Sequence, residues 1–280
     1  MILIKCTVFI MPTATQWSRP KVWGDPSPLF YLDYYSLNTP LDFLQKIVYT
    51  VGNIRKEQNG MSKNYYLTID TETANSLEDP IVYDIGGAIH DKQGNVYETF
   101  SFVIYETFVL CADLMQTAYY AEKIPMYEEQ LKNGMRRMVR WNTARRHIES
   151  LCAKYNVKAI IAHNARFDVR AVNTTERWFT SSKYRYFLPY GIPVWDTLSM
   201  AEDTICKQKT YIKWARANGY MRSTNRPRAT AEILYRYITN EESFTEEHTG
   251  LADVMIEYKI FVHCCRQHKK MEKLPRGWKK

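Results

Sequence analysis

The stretch YYLTIDTETA, residues 65–74, sets two carboxylates, Asp70 and Glu72, directly after an apolar run that no charge interrupts. Such a run is typical of a strand in the middle of a sheet. Because side chains two residues apart in a strand leave on the same face, Asp70 and Glu72 are expected to point the same way. Two carboxylates that close repel each other unless a cation lies between them. The stretch therefore predicts a divalent-metal site at the end of a central strand.

Length and composition limit the class of protein. The chain has 280 residues, enough for one large domain or two small ones with an ample core. Its net charge of +8 favours an anionic partner such as nucleic acid, although a solvated basic surface explains the charge equally well. The six cysteines show no CxxC spacing, which indicates reduced thiols and not zinc ligands or disulfides. No apolar run is long enough to cross a bilayer, so a membrane protein is not expected.

The chain divides by composition into three parts. Residues 1–60 are rich in proline and aromatics without a sustained period, and we expect a poorly ordered N-terminal extension or a mis-called start. Met61 stands just ahead of the first strand, and Lys56-Glu57 can be encoded by AAGGAG, a bacterial ribosome-binding sequence. A genuine N-terminal appendage is the alternative; catalysis is not expected there. Residues 61–268 are predicted to form one folded domain, and residues 269–280 a loose basic tail.

The pattern after residue 64 predicts an α/β fold. Residues 81–105 indicate two strands joined by a turn at DKQGN, which with the first strand make a three-stranded antiparallel meander. The apolar segments 157–164 and 192–198 are each followed by a helical pattern, which predicts two parallel strands. Residues 135–155 have apolar positions at helical spacing and are predicted to form a helix. The expected domain is a mixed five-stranded sheet flanked by helices.

Three further site candidates lie at strand ends and helix starts. Asp168 falls in the first turn of the helix that follows AIIAHN. His248 stands at or before a helix start, and Asp253 follows five residues later inside that helix. Five residues correspond to about 140° of rotation at roughly 100° per residue, but a histidine in the preceding loop can still lean over the same site. We expect the His248 side chain to be partly exposed, and a ring turned away from the site in the absence of substrate is compatible with this position in a loop.

These motifs, in this order, resemble those of the DEDD superfamily of 3′→5′ exonucleases, histidine subclass (DEDDh), which includes the proofreading subunit of bacterial replicases. The resemblance rests on Asp-x-Glu after a strand, then HNARFD, then His-x4-Asp, and covers residues 64–268. The wider pattern around the third motif is similar to phage-encoded members. The resemblance implies a ribonuclease H-like fold and release of nucleoside 5′-monophosphates from DNA 3′ ends, in replication or repair. An exoribonuclease that trims RNA 3′ ends remains the alternative.

The resemblance also implies roles for individual residues. Two Mg²⁺ or Mn²⁺ ions would be bound by four carboxylates, Asp70, Glu72, Asp168 and Asp253, with His248 as the general base. Hard oxygen ligands suit these ions, and a histidine titrates near neutral pH.

Other residues of the motifs are candidate contacts to the terminal nucleotide. These are Thr71, Asn164 and Phe167, with strand packing an alternative for Thr71 and core packing for Phe167. Asp196 matches an acidic position common in the family, and we expect it to cap or brace the following helix instead of binding metal. Trp141 and Trp178 are expected to pack against the protein and not to stack on bases.

The segment 105–140 is longer than a crossover needs, and it mixes aromatic with basic residues. That mixture suits single-stranded nucleic acid, through phosphate attraction and base stacking. A charged helix face with its aromatics turned inward would give the same pattern. The partners implied are single-stranded or frayed 3′ ends, of DNA more than RNA, and a DNA polymerase, without a membrane. The implied location is the cytoplasm, that of a bacterial host if the protein is phage-encoded.

Overall fold

The structure, a computed structural model, describes residues 63–181 and 186–278. The N-terminal extension predicted for residues 1–60 lies outside these residues and stays a prediction. Over the described residues the chain forms six strands of one sheet: β1 Tyr65–Asn75, β2 Pro80–Asp91, β3 Val96–Ile104, β4 Arg137–Val139, β5 Ile160–Ala162 and β6 Val194–Asp196.

The sheet is mixed, with the strand order β4-β3-β2-β1-β5-β6. Strands β1 to β3 form the predicted antiparallel meander, and β5 and β6 run parallel to β1. The predicted α/β class, with a mixed sheet flanked by helices, is therefore confirmed. The predicted number of five strands is wrong because β4 adds a sixth strand, parallel to β3 at the sheet edge.

Strand β4 also corrects the helix predicted over residues 135–155. Met138 pairs with Val103 in the sheet, so its apolar side chain belongs to a strand and not to the helix. The helix begins only at Trp141, after Arg140 in an extended conformation. Three residues are too few for a strand period to be separated from a helical one, whereas pairing satisfies their backbone groups at the edge of β3.

The helices cover both faces of the sheet. In the described residues they are α1 Ala112–Met115, α2 Ile124–Lys132, α3 Trp141–Tyr155, α4 Arg166–Phe179, α5 Thr197–Thr204, α6 Lys209–Ala217, α7 Ala231–Thr239 and α8 Gly250–Arg266, with short helical turns at Glu106–Leu110 and Ala121–Lys123. One core cluster joins β1 to α3 and α4, and a second joins β1 to α5, α7 and α8. No helix among these is long and apolar enough to span a bilayer.

The alternation of side chains along β1 decides which layer each residue meets. Leu67 and Ile69 belong to the cluster with α3 and α4. Tyr66 belongs to the other cluster, where its ring packs 4.8 Å from that of Phe261 on α8. Because the period of a strand is two, Asp70 follows Tyr66 and faces α8. The core pattern of one strand thus aims the first candidate ligand at the helix that carries the third motif.

Strand β2 and the start of α8 approach each other closely at two glycines. A Cβ atom on Gly250 would lie 2.6 Å from the backbone nitrogen of Gly86 and 3.2 Å from the carbonyl oxygen of Asp70. A Cβ atom on Gly86 would collide with the backbone of Gly250 and Leu251. The absence of side chains at both positions lets α8 begin directly over the sheet, next to Asp70.

We expect Gly86→Ala to destabilise the protein by about 1–3 kcal/mol or more, the usual cost of overpacking. The added methyl group meets backbone and not a side chain that could turn away, so the start of α8 must move. Urea unfolding followed by circular dichroism measures the loss. An unchanged unfolding midpoint would contradict this close approach of β2 and α8.

Part of the C-terminal tail, residues 271–278, is held against the domain, which corrects the prediction of a loose tail for these residues. The Asp196 N–H donates to the Lys273 carbonyl at 2.7 Å, and the Glu272 N–H donates to Asp203 at 2.8 Å. The Lys273 ammonium lies 4.1 Å from the centroid of the Trp195 ring. Residues 271–278 therefore cover the edge strand β6, which protects its unpaired backbone groups. The prediction for Trp178 is also wrong, because its ring is exposed on the surface.

Candidate active site

Three predicted carboxylates converge where β1 passes the start of α8. Asp70, Glu72 and Asp253 each offer a ligand atom, and these atoms lie within 4.8 Å of one another. Asp70 and Glu72 come from alternate positions of β1, and Asp253 comes from the first turn of α8. A register shift after Glu72 marks a bulge in the pairing with β2, a feature that re-aims side chains.

Burial makes this cluster electrostatically unfavourable without a cation. Burial, followed by the charge of Asp253, raises the pKa of Glu72 to about 8. Burial, followed by Glu246, raises the pKa of Asp253 to about 7. Burial and neighbouring carboxylates also raise the pKa of Asp70 well above its usual range. In addition, the Asp253 Oδ1 atom is buried without a hydrogen-bond partner. Buried carboxylates with a free oxygen are the donor set that a divalent ion satisfies.

Asp168 lies beside this trio but reaches it from the other layer of the structure. It stands in the first turn of α4 and is 3% exposed. Thr71 Oγ1 donates a hydrogen bond to its Oδ1 at 2.9 Å. Burial raises the pKa of Asp168 to about 7, and its own charge contributes to the raised pKa of Asp70. The predicted fourth ligand is therefore close to the trio, and the Thr71 hydroxyl orients it.

His248 is held at the edge of the acidic cluster. Its Nδ1 atom lies 3.9 Å from Asp253 Oδ2 and 3.8 Å from Glu246 Oε2. Its side chain is 28% exposed, as expected for a group in the loop before α8, and the ring faces the cluster. Burial, assisted by the charge of Lys123, lowers its pKa, which favours the neutral imidazole that can accept a proton.

Two buried carboxylates at this site escaped the sequence analysis. Glu257 is 4% exposed, one helical turn after Asp253, and accepts a hydrogen bond from the His163 N–H at 3.1 Å. Asp84 pairs with Glu72 across β1 and β2 and is fully buried. The i to i+4 spacing of Asp253 and Glu257 and the charge inside the apolar stretch IVYDIGG are the signals that could have found them.

A cavity of about 420 Å³ opens beside the carboxylates. Among its lining residues are Asp70, Asp253, Glu257, Asn164 and Arg222. Asn164 is exposed and has a positive φ of 58°, and its backbone N–H donates to Asp196 Oδ1 at 2.9 Å. The cavity therefore combines carboxylates, an amide and one guanidinium group, a combination that can hold metal ions together with a phosphate.

The remaining predicted residues have mostly structural contacts. Phe167 is partly buried and packs against the core cluster, with the Arg170 guanidinium 5.6 Å from its ring. Asp196 accepts from the Leu198 N–H at 3.0 Å and so caps α5, as its position predicted. Both ring nitrogens of His163 have partners, Thr197 Oγ1 and the Ala229 carbonyl, at 2.9 Å each.

For the segment 105–140 the sequence left two interpretations, nucleic-acid binding and inward packing of its aromatics, and the structure contains both packed and exposed aromatic residues. Tyr127 is fully buried against β2 and β3, and Arg136 makes an ion pair of 2.8 Å with the buried Asp84. These two residues are structural. Tyr119 is 81% exposed, and it contacts Tyr120 edge to face at a centroid distance of 4.8 Å.

In comparisons with known proteins, this chain is similar to solved structures only. No protein-family model matches the sequence, and no curated protein matches it. E. coli Exonuclease I in complex with a dA16 oligonucleotide shares 18% identity over 74% of this chain and 41% of that chain, with a TM-score of 0.45. A 3′-exonuclease that recognises the 3′ end of a histone mRNA stem-loop shares 10% identity over 85% and 81%, with a TM-score of 0.46.

Exonuclease I from Methylocaldum szegediense is similar at 14% identity over 74% of this chain and 41% of that chain, with a TM-score of 0.41. The chain thus spans about two fifths of the length of the Exonuclease I chains it matches. At these identities and TM-scores, the inference of function depends on the residues of this chain.

Proposed function

We propose that this protein is a metal-dependent 3′→5′ exonuclease of the DEDD superfamily, histidine subclass, which releases nucleoside 5′-monophosphates. The observation that carries the proposal is the convergence of Asp70, Glu72 and Asp253 within 4.8 Å, with His248 beside them. Two sequence segments far apart in the chain, residues 70–72 and 248–253, supply these groups. A fold stabilised only by packing has no use for buried carboxylates that repel each other.

The carboxylates fit two divalent cations. Asp70, Glu72, Asp168 and Asp253 would hold them, and the unpartnered Oδ1 of Asp253 would gain a partner. When bound, two such ions supply stabilisation of the attacking and leaving oxygens in an in-line displacement. Mg²⁺ or Mn²⁺ suits an all-oxygen donor set. A zinc-bound form of the E. coli Exonuclease I complex with single-stranded DNA is among the similar structures.

His248 would take the proton of the attacking water. Burial lowers the pKa of its imidazole, which favours the neutral ring, and its side chain is 28% exposed. Thr71 would hold Asp168 in place through its hydroxyl group. Arg222 and Asn164, which line the cavity beside the carboxylates, are suited to bind the phosphate and the sugar of the terminal nucleotide. These residues bind and orient, while the proton moves only at the imidazole.

The proposed substrate is a DNA 3′ end, single-stranded or frayed. The enzyme would act in replication or repair. Its proposed location is the cytoplasm, that of a bacterial host if the gene is that of a phage. Trimming of RNA 3′ ends is the rival function. An enzyme for RNA would differ in its contacts to the 2′-hydroxyl group of the substrate. A DNA polymerase partner stays a prediction without a structural observation that bears on it.

One digestion series tests the proposed function. Single-stranded DNA, duplex DNA and RNA, each labelled at the 3′ or the 5′ end, are incubated with Mg²⁺ or Mn²⁺. We expect a 3′ label to appear at once as a mononucleotide, and a 5′ label to move through a ladder of shortened products. Degradation of RNA alone would select the exoribonuclease. Internal cleavage, or 5′-labelled mononucleotides at the outset, would overturn the proposal.

We expect His248→Ala to lower kcat strongly while KM changes little, because the carboxylates and the cavity remain. The low-pH limb of the rate profile should disappear with the imidazole, since deprotonation of the base produces that limb. His147→Ala is a matched control, since His147 packs on Phe100 and Phe102 away from the carboxylates. Near-normal turnover of His248→Ala at neutral pH would exclude it as the base.

A further inference from the structure

The loop that carries His248 is in contact with residues of the segment between β3 and α2. The ring of Tyr120 lies parallel to the imidazole of His248, with a centroid distance of 4.3 Å and an interplanar angle of 12°. Among the aromatic pairs of the described residues, no other has planes so close to parallel. The contact joins two segments that are more than 120 residues apart in the chain.

Lys123 holds the same loop by hydrogen bonds to the main chain of the loop. Its ammonium group donates to the carbonyl oxygens of Glu247 and His248, the latter at 3.4 Å. It also lies 4.7 Å from the centroid of the Tyr120 ring, a cation–π geometry. Tyr120 and Lys123 therefore act on one loop together, one on the imidazole and the other on the main chain.

The backbone of His248 needs such support. Its φ of 48° lies in the left-handed region, which residues with a side chain seldom adopt. A conformation of this kind persists only where surrounding contacts hold it. The contacts from Tyr120 and Lys123 hold the loop at this residue.

Asp84 anchors the contacting segment to the start of α8. One of its oxygens, Oδ2, accepts hydrogen bonds from the Tyr127 hydroxyl at 2.7 Å, from Arg136 at 2.8 Å and from the Gly250 N–H at 3.0 Å. Tyr127 and Arg136 belong to the segment 105–140, and Gly250 begins α8. Because a buried carboxylate joins them, Tyr120 and the helix that carries Asp253 are held in one arrangement.

We propose that Tyr120 is a positioning residue for His248: its ring fixes the orientation of the imidazole over the acidic cluster before substrate arrives. The inference rests on the proposed function of His248 as the base. A free imidazole in a loop samples several rotamers, and holding it beforehand removes that entropy cost from the reaction. The flat contact occupies a face of the ring and leaves its edge free, where Nδ1 lies 3.9 Å from Asp253 Oδ2.

The test compares Tyr120→Leu with Tyr120→Phe in the full chain, with labelled single-stranded DNA as substrate. The phenyl ring keeps the stack, and the described residues give the Tyr120 hydroxyl no hydrogen-bond partner. We therefore expect Tyr120→Phe to match the wild type. Tyr120→Leu should lower kcat by roughly tenfold or more at little-changed KM, since a displacement of 1 Å can cost ~10²-fold.

A double-mutant cycle separates positioning from other roles of the tyrosine. In the His248→Ala background there is no imidazole to orient, so adding Tyr120→Leu should change kcat by less than about twofold. A further loss as large as in the wild-type background would show that Tyr120 acts on something else, and would overturn the proposal.

NMR of the metal-free protein gives a readout that needs no activity. The ring protons of His248, assigned with His248→Ala, should be shifted upfield by the Tyr120 ring, and the shift should disappear in Tyr120→Leu and persist in Tyr120→Phe. If the wild type does not cleave nucleic acid, the proposed function fails and the positioning role fails with it, whatever the spectrum shows. If the wild type cleaves while Tyr120→Leu keeps its kcat or the upfield shift, only the positioning role is overturned.

Discussion

Asp70→Ala is expected to abolish cleavage almost completely while the protein stays folded. Asp70 shares the acidic cluster with Glu72 and Asp253, and its loss removes a ligand atom that no neighbour can replace without moving the strand. Mutation of an outer-shell partner of a metal ligand typically costs ~10–100-fold, and loss of a direct ligand should cost more. Excess chelator should produce the same loss in the wild type, and added Mg²⁺ or Mn²⁺ should restore only the wild type.

The control for this experiment is a carboxylate outside the cluster. Glu149 lies on α3 in an exposed i to i+4 pair with Arg145, a contact worth little to stability. Glu149→Ala should keep full activity and the wild-type circular dichroism spectrum. Full activity of Asp70→Ala, or of the wild type in excess chelator, would remove the metal-dependent mechanism.

The sequence predicted those parts of the site that local periodicity controls. Asp70 and Glu72 share a face because a strand has a period of two, and Asp168 and Asp253 each stand in the first turn of a helix. Each of these positions can be read from its own segment. The convergence of three of them, with Asp168 beside the trio, follows from the parallel arrangement of β1 and β5 and from the packing of α8 on the sheet.

The sequence could not predict contacts that depend on register and on packing between distant segments. Asp84 comes to lie across from Glu72 only through the pairing of β1 with β2. Tyr120 reaches His248 only because the segment 105–140 packs against residues of β1, β2 and β3. Strand β4 was missed for a related reason, since three residues carry no period and depend on β3 for pairing. Local patterns thus located the candidate carboxylates, but not the residues that hold them in place.

The second large effect concerns stability without metal, which we expect to fall as pH rises from about 7 to 8.5. Glu72 has a pKa of about 8 in the folded chain, against an ordinary value of 4.5. Throughout this window the unfolded chain has lost that proton, while the folded chain still binds it below pH 8. Because the folded state binds more protons, its stability declines as pH rises through the folded pKa. The elevated pKa values of Asp168 and Asp253, about 7 each, act in the same direction.

Buried histidines act in the opposite direction, but only at lower pH. Burial lowers the pKa of His90 to about 4 and also lowers that of His163, so both favour folding as pH rises towards their ordinary value of 6.5. Above pH 7 this contribution is complete. The window from 7 to 8.5 also lies below the ordinary pKa of 9.0 of the buried thiols of Cys152 and Cys264. The carboxylate cluster should therefore dominate the slope there.

Thermal unfolding in chelator and in Mn²⁺ or Mg²⁺ measures this effect. In chelator, Tm should fall between pH 7 and 8.5, and Glu72→Gln should flatten the slope because its amide does not ionise. Metal should raise Tm most at pH 8.5, since the ions bind the deprotonated carboxylates and at pH 7 must displace protons. Asp70→Ala should be more stable than the wild type in chelator and gain less from metal, because the variant has one buried carboxyl group fewer and one ligand fewer. A Tm that depends neither on pH in this window nor on metal would mean that the carboxylates are stabilised by the protein alone, and the cluster would then not be a metal site.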